Sequence, residues 1–184
     1  MRHRFPTISP DGLWIFGYGS LMWDPGFEYV RAARATLPGW HRRMSMIATN
    51  SYGRPSRPGL AAGLHPRGSV EGVAFLVAPD KCHEILDVLS KREWAYLAVM
   101  APMRLADGSS VRALTYLASP VNGRFRATQP VGDFLRRLSH GVGRKGYAAD
   151  YVRQSAEALS AHGVRQSDLH DLVPVIAGGT RFRR

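Results

Sequence analysis

The sequence predicts an α+β fold in which an antiparallel or mixed sheet, open to curling into a barrel, is covered by peripheral helices. Apolar and alternating runs typical of strands fill most of the first half of the chain, and helical periodicity dominates the last third. The 184 residues are 45% hydrophobic, which is enough for one domain with a substantial core.

Strands are predicted from apolar runs that end at Gly, Pro, Asn or Ser, at residues 13–18, 29–37, 41–49, 69–78, 97–105 and 110–118. The turn sequence Asp107-Gly108 predicts a hairpin between the last two strands. Segment 50–66 carries many Gly and Pro residues and is predicted to be a long loop. Such loops in compact domains are functional or disordered.

Helices are predicted at residues 80–93, 131–139, 146–162 and 167–173. Gly163 stands where a glycine commonly ends a helix, and Ser167 or Asp168 suits the start of the last helix. We assign residues 13–176 to the folded domain, residues 1–12 to an N-terminal extension and residues 177–184 to a basic C-terminal tail.

The chain carries an excess of positive charge, because 25 Lys and Arg against 14 Asp and Glu give a net charge of +11. Such an excess raises the question of nucleic-acid binding. The arginines are scattered, apart from RFRR at 181–184, and no RNP, helix-turn-helix or zinc-finger spacing accompanies them. We therefore predict no nucleic-acid partner, and expect the charge to attract small anions or to reflect the composition of the source organism.

A cytoplasmic location is predicted from cysteine usage and from the apolar segments. Cys82 is the only cysteine, so no intrachain disulfide can form and a reducing compartment is expected. The first residues lack the apolar core of a secretory signal. No apolar run approaches the roughly 20 residues that cross a bilayer, so no membrane association is predicted.

A glycine-rich turn, Gly-Tyr-Gly-Ser at 17–20, interrupts an aromatic, apolar run. It does not complete a dinucleotide fingerprint, because Met22 replaces the third glycine and Pro25-Gly26 disfavours the helix that should follow. No Walker A motif or metal-ligand spacing is present, so no cofactor or metal is predicted. Two hypotheses remain: the amides of residues 18–22 form a nest for a carboxylate or oxyanion, or the turn only fills space.

One carboxylate, Glu93, lies on the apolar face of the helix predicted at 80–93. At about 100° per residue, it falls on the apolar stripe formed by Cys82, Ile85, Leu86 and Leu89. Either the helix end frays and the carboxylate reaches water, or it is buried. A buried carboxylate has a raised pKa, which suits a general acid/base near neutral pH, although the charge of neighbouring Arg92 acts in the opposite direction.

Several segments together form a recognisable pattern: WIFGYGSLMWDPGFEY (14–29), SVEGVAFLV (69–77), LSKRE (89–93), LTYLAS (114–119) and LSHGVGRKGYAADYV (138–152). In this order and at this separation they resemble the ChaC family of glutathione-specific γ-glutamylcyclotransferases. The resemblance runs from about residue 13 to residue 176, which is nearly the whole chain.

The resemblance implies a small, barrel-like α+β domain that cleaves glutathione to 5-oxoproline and cysteinylglycine with no cofactor. It implies that Glu93 transfers the proton. The residues it implies for substrate binding are Tyr18, Gly19, Ser20, Leu21, Tyr116 and Tyr147, with Tyr151 as the alternative to Tyr147.

The sequence also departs from the family pattern. Tyr52 stands where relatives have an arginine, and Trp94-Ala95-Tyr96 follow Glu93 where animal relatives have a glycine-rich segment. The sequence therefore does not decide whether the protein acts strictly on glutathione. The alternatives are a cyclotransferase that acts on other γ-glutamyl amines and a non-catalytic protein that binds γ-glutamyl compounds or anions. The oligomeric state is not predicted.

Overall fold

Five strands form a closed barrel in the computed structural model, which describes residue 6 and residues 8–179. The strands are β1 Leu13–Gly17, β2 Arg31–Ala48, β3 Gly59–Val77, β4 Tyr96–Leu105 and β5 Ser110–Ala118. Their order around the barrel is β1-β3-β2-β4-β5. The β1–β5 pair is parallel and the other pairs are antiparallel, so the sheet is mixed. The predicted α+β fold with a curled mixed sheet is confirmed.

Within the described residues, four α-helices lie around the barrel: α1 Cys82–Arg92, α2 Val131–His140, α3 Ala148–Ala161 and α4 Asp168–Gly179. A short ribbon of β6 Val142–Gly143 and β7 Gly146–Tyr147 precedes α3. Helix α1 covers one side of the barrel with its apolar stripe, which packs on residues of β1 and β5. Helices α2, α3 and α4 form a second helical layer. Among the described residues, no helix is long and apolar enough to span a membrane.

The largest errors of the sequence prediction concern β2 and β3. Residues 29–37 and 41–49 were predicted as two strands, but one strand, β2, continues through Pro38 and Gly39 with a shift of register. Gly39 has a φ of +81°, so the glycine accommodates an irregularity within the strand instead of ending it. The predicted loop 50–66 is also wrong in its second half, because β3 begins at Gly59.

Gly63 explains why glycines in that second half do not indicate a loop. A Cβ atom at Gly63 would lie 2.7 Å from Ser45 Oγ and 2.8 Å from the Ala118 Cβ. Because β2, β3 and β5 approach each other this closely, the position requires a residue without a side chain. The glycine therefore serves the packing of a strand.

The helix predictions are nearly right. Residues 146–147 form β7 instead of the start of α3, and α4 continues past Pro174 to Gly179. Gly163 ends α3 with a φ of +81°, and Gly108 turns the predicted hairpin with a φ of +87°, so both glycine predictions are confirmed. Of the predicted N-terminal extension and basic tail, residues 1–5, 7 and 180–184 lie outside the described residues.

We expect the α1 stripe to contribute strongly to stability. Leu89 is fully buried and Val88, beside it on the same helix, is half-exposed. Leu89→Ala should lower the free energy of unfolding by about 2–5 kcal/mol. Val88→Ala should change it by less than about 0.5 kcal/mol. Urea unfolding of both variants measures the difference, and equal effects would contradict the packing described here.

Candidate active site

A cavity of about 360 Å³ opens at the end of the barrel where β1 and β5 end and β4 begins. In the described part of the chain, β2 and β4 pair at Ala35–Leu105 and Thr36–Arg104, at the other end of the barrel. Towards the cavity the two strands are no longer paired. The C-terminal end of β2 and the start of β4 therefore line separate parts of the cavity wall.

The glycine-rich turn forms part of this wall. Tyr18, Gly19, Ser20 and Leu21 all line the cavity. The chain turns back in a single 3₁₀ turn, in which the Met22 amide donates to the Gly19 carbonyl at 2.9 Å. The predicted nest therefore does not include the Met22 amide, which the turn itself uses.

A buried arginine, Arg42, hydrogen-bonds to the turn. Its side chain is only 1% exposed, and its Nη1 donates to the Tyr18 carbonyl at 2.6 Å. Its Nε and Nη2 donate to the Asp168 carboxylate at 3.0 and 2.9 Å. Because Asp168 is the first residue of α4, this buried arginine ties the turn after β1 to the last helix. The sequence analysis missed this contact.

Glu93 follows α1 directly, and its side chain is only 14% exposed. Its amide still donates to the Leu89 carbonyl at 2.8 Å, and the Tyr96 amide donates to the Glu93 carbonyl at 2.9 Å. These two bonds hold the residue between the helix and β4, with the side chain in the cavity wall. Of the two alternatives for Glu93, a frayed end or a buried carboxylate, the structure has the buried one.

Burial raises the pKa of Glu93 above its ordinary value of 4.5, and the positive charges of Arg92 and Lys145 act in the opposite direction. Arg92 Nε lies 3.2 Å from Glu93 Oε1. The same guanidinium donates to the Ser20 hydroxyl at 3.2 Å and to the Pro25 carbonyl at 2.9 Å. Arg92 therefore holds Glu93 and both sides of the turn together. The sequence analysis treated it only as a neighbouring charge.

Four tyrosines complete the inner wall of the cavity: the buried Tyr18, Tyr116 and Tyr151 and the partly buried Tyr96. The Tyr18 hydroxyl donates to the Tyr116 carbonyl at 2.5 Å, and the Tyr96 hydroxyl donates to the Ala62 carbonyl at 2.9 Å. The Ala62 amide in turn donates to the Tyr151 hydroxyl at 3.2 Å. Burial raises the pKa of all four phenols, to about 12 for Tyr151, and the charge of Glu93 raises each further. They are therefore neutral at physiological pH.

The structure does not bring Tyr147 to the cavity. Tyr147 precedes α3, where its amide donates to Asp150 Oδ2 at 3.0 Å, and its side chain is 43% exposed. Tyr151, one helical turn later, is buried and lines the cavity instead. Of the two alternatives, the structure therefore places Tyr151 in the cavity wall and Tyr147 outside it. The start of α3, which decides between them, could not be located from the sequence.

Tyr52 is a buried part of the same wall. Its ring lies 5.4 Å from the Tyr151 ring and 6.0 Å from the Trp23 ring, centroid to centroid, in edge-to-face contacts. Aromatic packing therefore holds the Tyr151 ring in the cavity wall.

The charge of the cavity wall is strongly positive. Glu93 is the one acidic residue among the described residues of the wall, against five cationic ones: Lys91, Arg92, Arg124, Arg144 and Lys145. Within the part of the chain that the structure describes, no group of three or more His, Cys, Asp or Glu is arranged to hold a metal ion. The site therefore combines one buried carboxylate with a rim suited to an anionic ligand.

The family model described as ChaC-like protein matches residues 13–177. The chain belongs to the ChaC-like family. The predicted family is thereby confirmed, and the match covers every residue of the cavity wall described above.

Members of the ChaC-like family with curated names are similar over most of the chain. The glutathione-specific γ-glutamylcyclotransferase of Escherichia coli (strain K12) is 30% identical over 164 residues, 88% of this chain and 71% of that protein. The glutathione-specific γ-glutamylcyclotransferase 1 of Homo sapiens is 29% identical over 186 residues, 96% of this chain and 84% of that protein. A crystal structure of the glutathione-specific γ-glutamylcyclotransferase from yeast superposes with a TM-score of 0.81 at 18% identity, covering 91% of this chain and 96% of that chain. The last comparison shows that the fold is shared.

We expect Gly19 to be required because a side chain has no space at this position. Its φ of −137° is open to other residues, so the backbone conformation is not the reason. A Cβ atom at this position would collide with the Tyr151 hydroxyl. Gly19→Ala should therefore displace the turn or Tyr151 and lower kcat/KM for glutathione, the compound in the relatives' names, by about 10- to 100-fold.

The control for this variant is Gly132→Ala, because a Cβ atom at Gly132 in α2 meets nothing within 4 Å. Thermal unfolding of both variants separates a loss of activity from a loss of fold. Normal kinetics for Gly19→Ala would mean that the turn does not contact the substrate.

Proposed function

We propose that this chain is a γ-glutamylcyclotransferase that cleaves glutathione to 5-oxoproline and cysteinylglycine. The observation that carries the proposal is the buried carboxylate of Glu93, in one cavity with the glycine-rich turn of residues 18–21. The names of the ChaC-like relatives support the reaction and its substrate.

The reaction is an internal acyl transfer. The α-amine of the substrate attacks its own γ-carbonyl carbon, a C–N bond forms to close a five-membered lactam, and the C–N bond to the cysteine nitrogen breaks. The α-ammonium nitrogen loses one proton before it attacks, and the departing nitrogen gains one proton as its C–N bond breaks. The second proton that the lactam nitrogen loses, and the second that the freed amine gains, exchange with solvent. Because the nucleophile is tethered to its target, its effective molarity is large, and the protein needs no nucleophile of its own.

Glu93 performs both proton transfers in this proposal. As a carboxylate it accepts the proton from the α-ammonium group, and as a carboxylic acid it returns a proton to the leaving nitrogen. A single group can do both only if its pKa lies near the working pH. The raised pKa of Glu93 supports this role, since burial favours the protonated form and Arg92 keeps the ionised form accessible.

The turn holds the γ-glutamyl half of the substrate in this proposal. Tyr18, Gly19, Ser20 and Leu21 supply the inner wall and main-chain groups at that end of the cavity. Tyr116 supplies a neutral phenol close enough to Glu93 for the two to interact electrostatically. Neutral phenols and a fixed guanidinium are donors that suit an α-carboxylate and a developing oxyanion.

We also propose that the protein works in the cytoplasm, which its single, buried cysteine supports. A panel of γ-glutamyl amines, assayed for 5-oxoproline release, tests whether glutathione is preferred over other γ-glutamyl compounds.

Glu93→Gln should abolish turnover while the protein still folds and binds glutathione. The amide has nearly the same shape but cannot accept a proton, so the release of 5-oxoproline should fall by about 10²- to 10⁴-fold. Asp87→Asn is the matched control, because Asp87 lies on the exposed face of the same helix. Unchanged activity of Glu93→Gln would rule out Glu93 as the proton-transfer group.

The pH profile should report the ionisation of Glu93. Because the ionised form accepts the first proton, kcat/KM should fall as the pH drops through a pKa above the ordinary 4.5. The Arg92 charge lowers that pKa, so Arg92→Gln should raise it and move the acid limb of the profile to higher pH. Lys145→Gln should act in the same direction, and Lys81→Gln, at the exposed start of α1, should leave the limb in place. A limb that stays fixed or moves to lower pH in Arg92→Gln would contradict this assignment.

A further inference from the structure

Trp94 and Arg124 form a pair in the cavity wall that the proposed reaction does not use. Trp94 directly follows Glu93, and its side chain is 58% exposed although it is a large aromatic residue. The Arg124 guanidinium carbon lies 4.6 Å from the centre of the Trp94 ring. Both residues line the cavity that contains Glu93.

The main chain of Arg124 is held firmly in place. Its amide donates to Asn122 Oδ1 at 2.9 Å, and its carbonyl accepts from the Ile47 amide at 2.8 Å. Asn122 Nδ2 in turn donates to the Ala95 carbonyl at 3.1 Å. The segment that carries Arg124 is thus fixed both to β2 and to the residue after Trp94. The Trp94 ring can therefore stack on the face of the Arg124 guanidinium, and the N–H edges of the guanidinium stay available.

The two cations whose charges act on Glu93, Arg92 and Lys145, already have partners. Arg92 contacts Glu93, Ser20 and Pro25, and Lys145 Nζ lies 2.6 Å from Asp24 Oδ2. For Arg124, no carboxylate lies within 4.0 Å among the residues that the structure describes. A guanidinium that is stacked on a ring and open at its edges is well suited to bind a carboxylate through two N–H groups.

Arg124 and Glu93 line neighbouring parts of the same cavity. Arg124 contacts the side chain of the residue next to Glu93. The hydroxyl of Tyr96 responds to both charges, since Glu93 raises its pKa and Arg124 lowers it. The two charged groups thus flank one phenol in the cavity wall.

We propose that Arg124, supported by Trp94, binds the terminal carboxylate of the leaving group and makes the enzyme selective for γ-glutamyl compounds whose leaving half ends in a free carboxylate. This inference rests on the proposed function, because it concerns the other half of the same substrate. It gives a role to the exposed ring of Trp94, which directly follows Glu93.

The test compares glutathione with its glycine carboxamide, which differs only in lacking the terminal negative charge. The wild type should prefer glutathione by about 10- to 100-fold in kcat/KM, as expected for a charge-assisted hydrogen bond. Arg124→Gln should lower kcat/KM for glutathione by a similar factor, leave that for the carboxamide within about 3-fold, and so abolish the preference.

Two variants serve as controls. Arg126→Gln should keep the preference, because the Arg126 guanidinium is exposed and donates to the main-chain carbonyls of Gly123 and Phe125. Arg144→Gln should also keep it, although Arg144 lines the same cavity. If Arg144→Gln removes the preference and Arg124→Gln does not, the proposed carboxylate site is wrong.

Equal turnover of both compounds by the wild type would also overturn the inference, and so would an equal loss for both in Arg124→Gln. The affinities of Glu93→Gln for the two compounds, measured by calorimetry, repeat the comparison without chemistry. If the wild type releases no 5-oxoproline, the proposed function fails, and the calorimetric preference still decides whether Arg124 recognises the carboxylate.

Discussion

The Arg92 guanidinium joins three parts of the chain: the carboxylate beside it, the hydroxyl of Ser20 in the turn after β1, and the carbonyl of Pro25 beyond that turn. Burial alone would strongly favour the protonated form of Glu93, and Arg92 opposes this effect. The same side chain therefore sets the protonation balance of Glu93 and the shape of the turn. The two properties cannot be changed independently.

The tyrosines add polar groups to this arrangement without adding charge. The hydroxyls of Tyr18, Tyr96 and Tyr151 bond to main-chain groups of Ala62 and Tyr116, which belong to β3 and β5. Since burial and the nearby carboxylate both raise the pKa of these phenols, they stay neutral. In the proposed reaction such a wall adds no competing charge and leaves Glu93 as the one acidic group of the described cavity wall that changes its protonation state.

Local patterns in the sequence predicted the parts of the site that local structure determines. The apolar stripe of α1 was sufficient to single out Glu93, because helical periodicity fixes which face a residue occupies. The glycine-rich turn was also found from a local pattern, because it interrupts an aromatic, apolar run. Segment 59–66 was mistaken for a loop, because glycines required for close packing of strands look the same in the sequence as glycines required for turns.

Contacts between distant segments could not be predicted in this way. Arg42 and Asp168 are 126 positions apart, and no periodicity connects them. Arg124 and Trp94 meet only because a turn after β5 folds back on β2. Tyr151 was separable from Tyr147 only once the first residue of α3 was known, and helix boundaries are the least certain feature of any sequence pattern.

The pairing of Arg42 with Asp168 has a consequence for the integrity of the chain. A buried guanidinium that loses its carboxylate retains its desolvation cost without compensation. A truncation before residue 168, or a proteolytic cut between α3 and α4 that releases the last helix, would therefore destabilise a part of the structure that is distant from the cut. Water would then compete for the Arg42 guanidinium, which donates to the Tyr18 carbonyl near the other end of the chain. The glycine-rich turn would lose the support of this hydrogen bond.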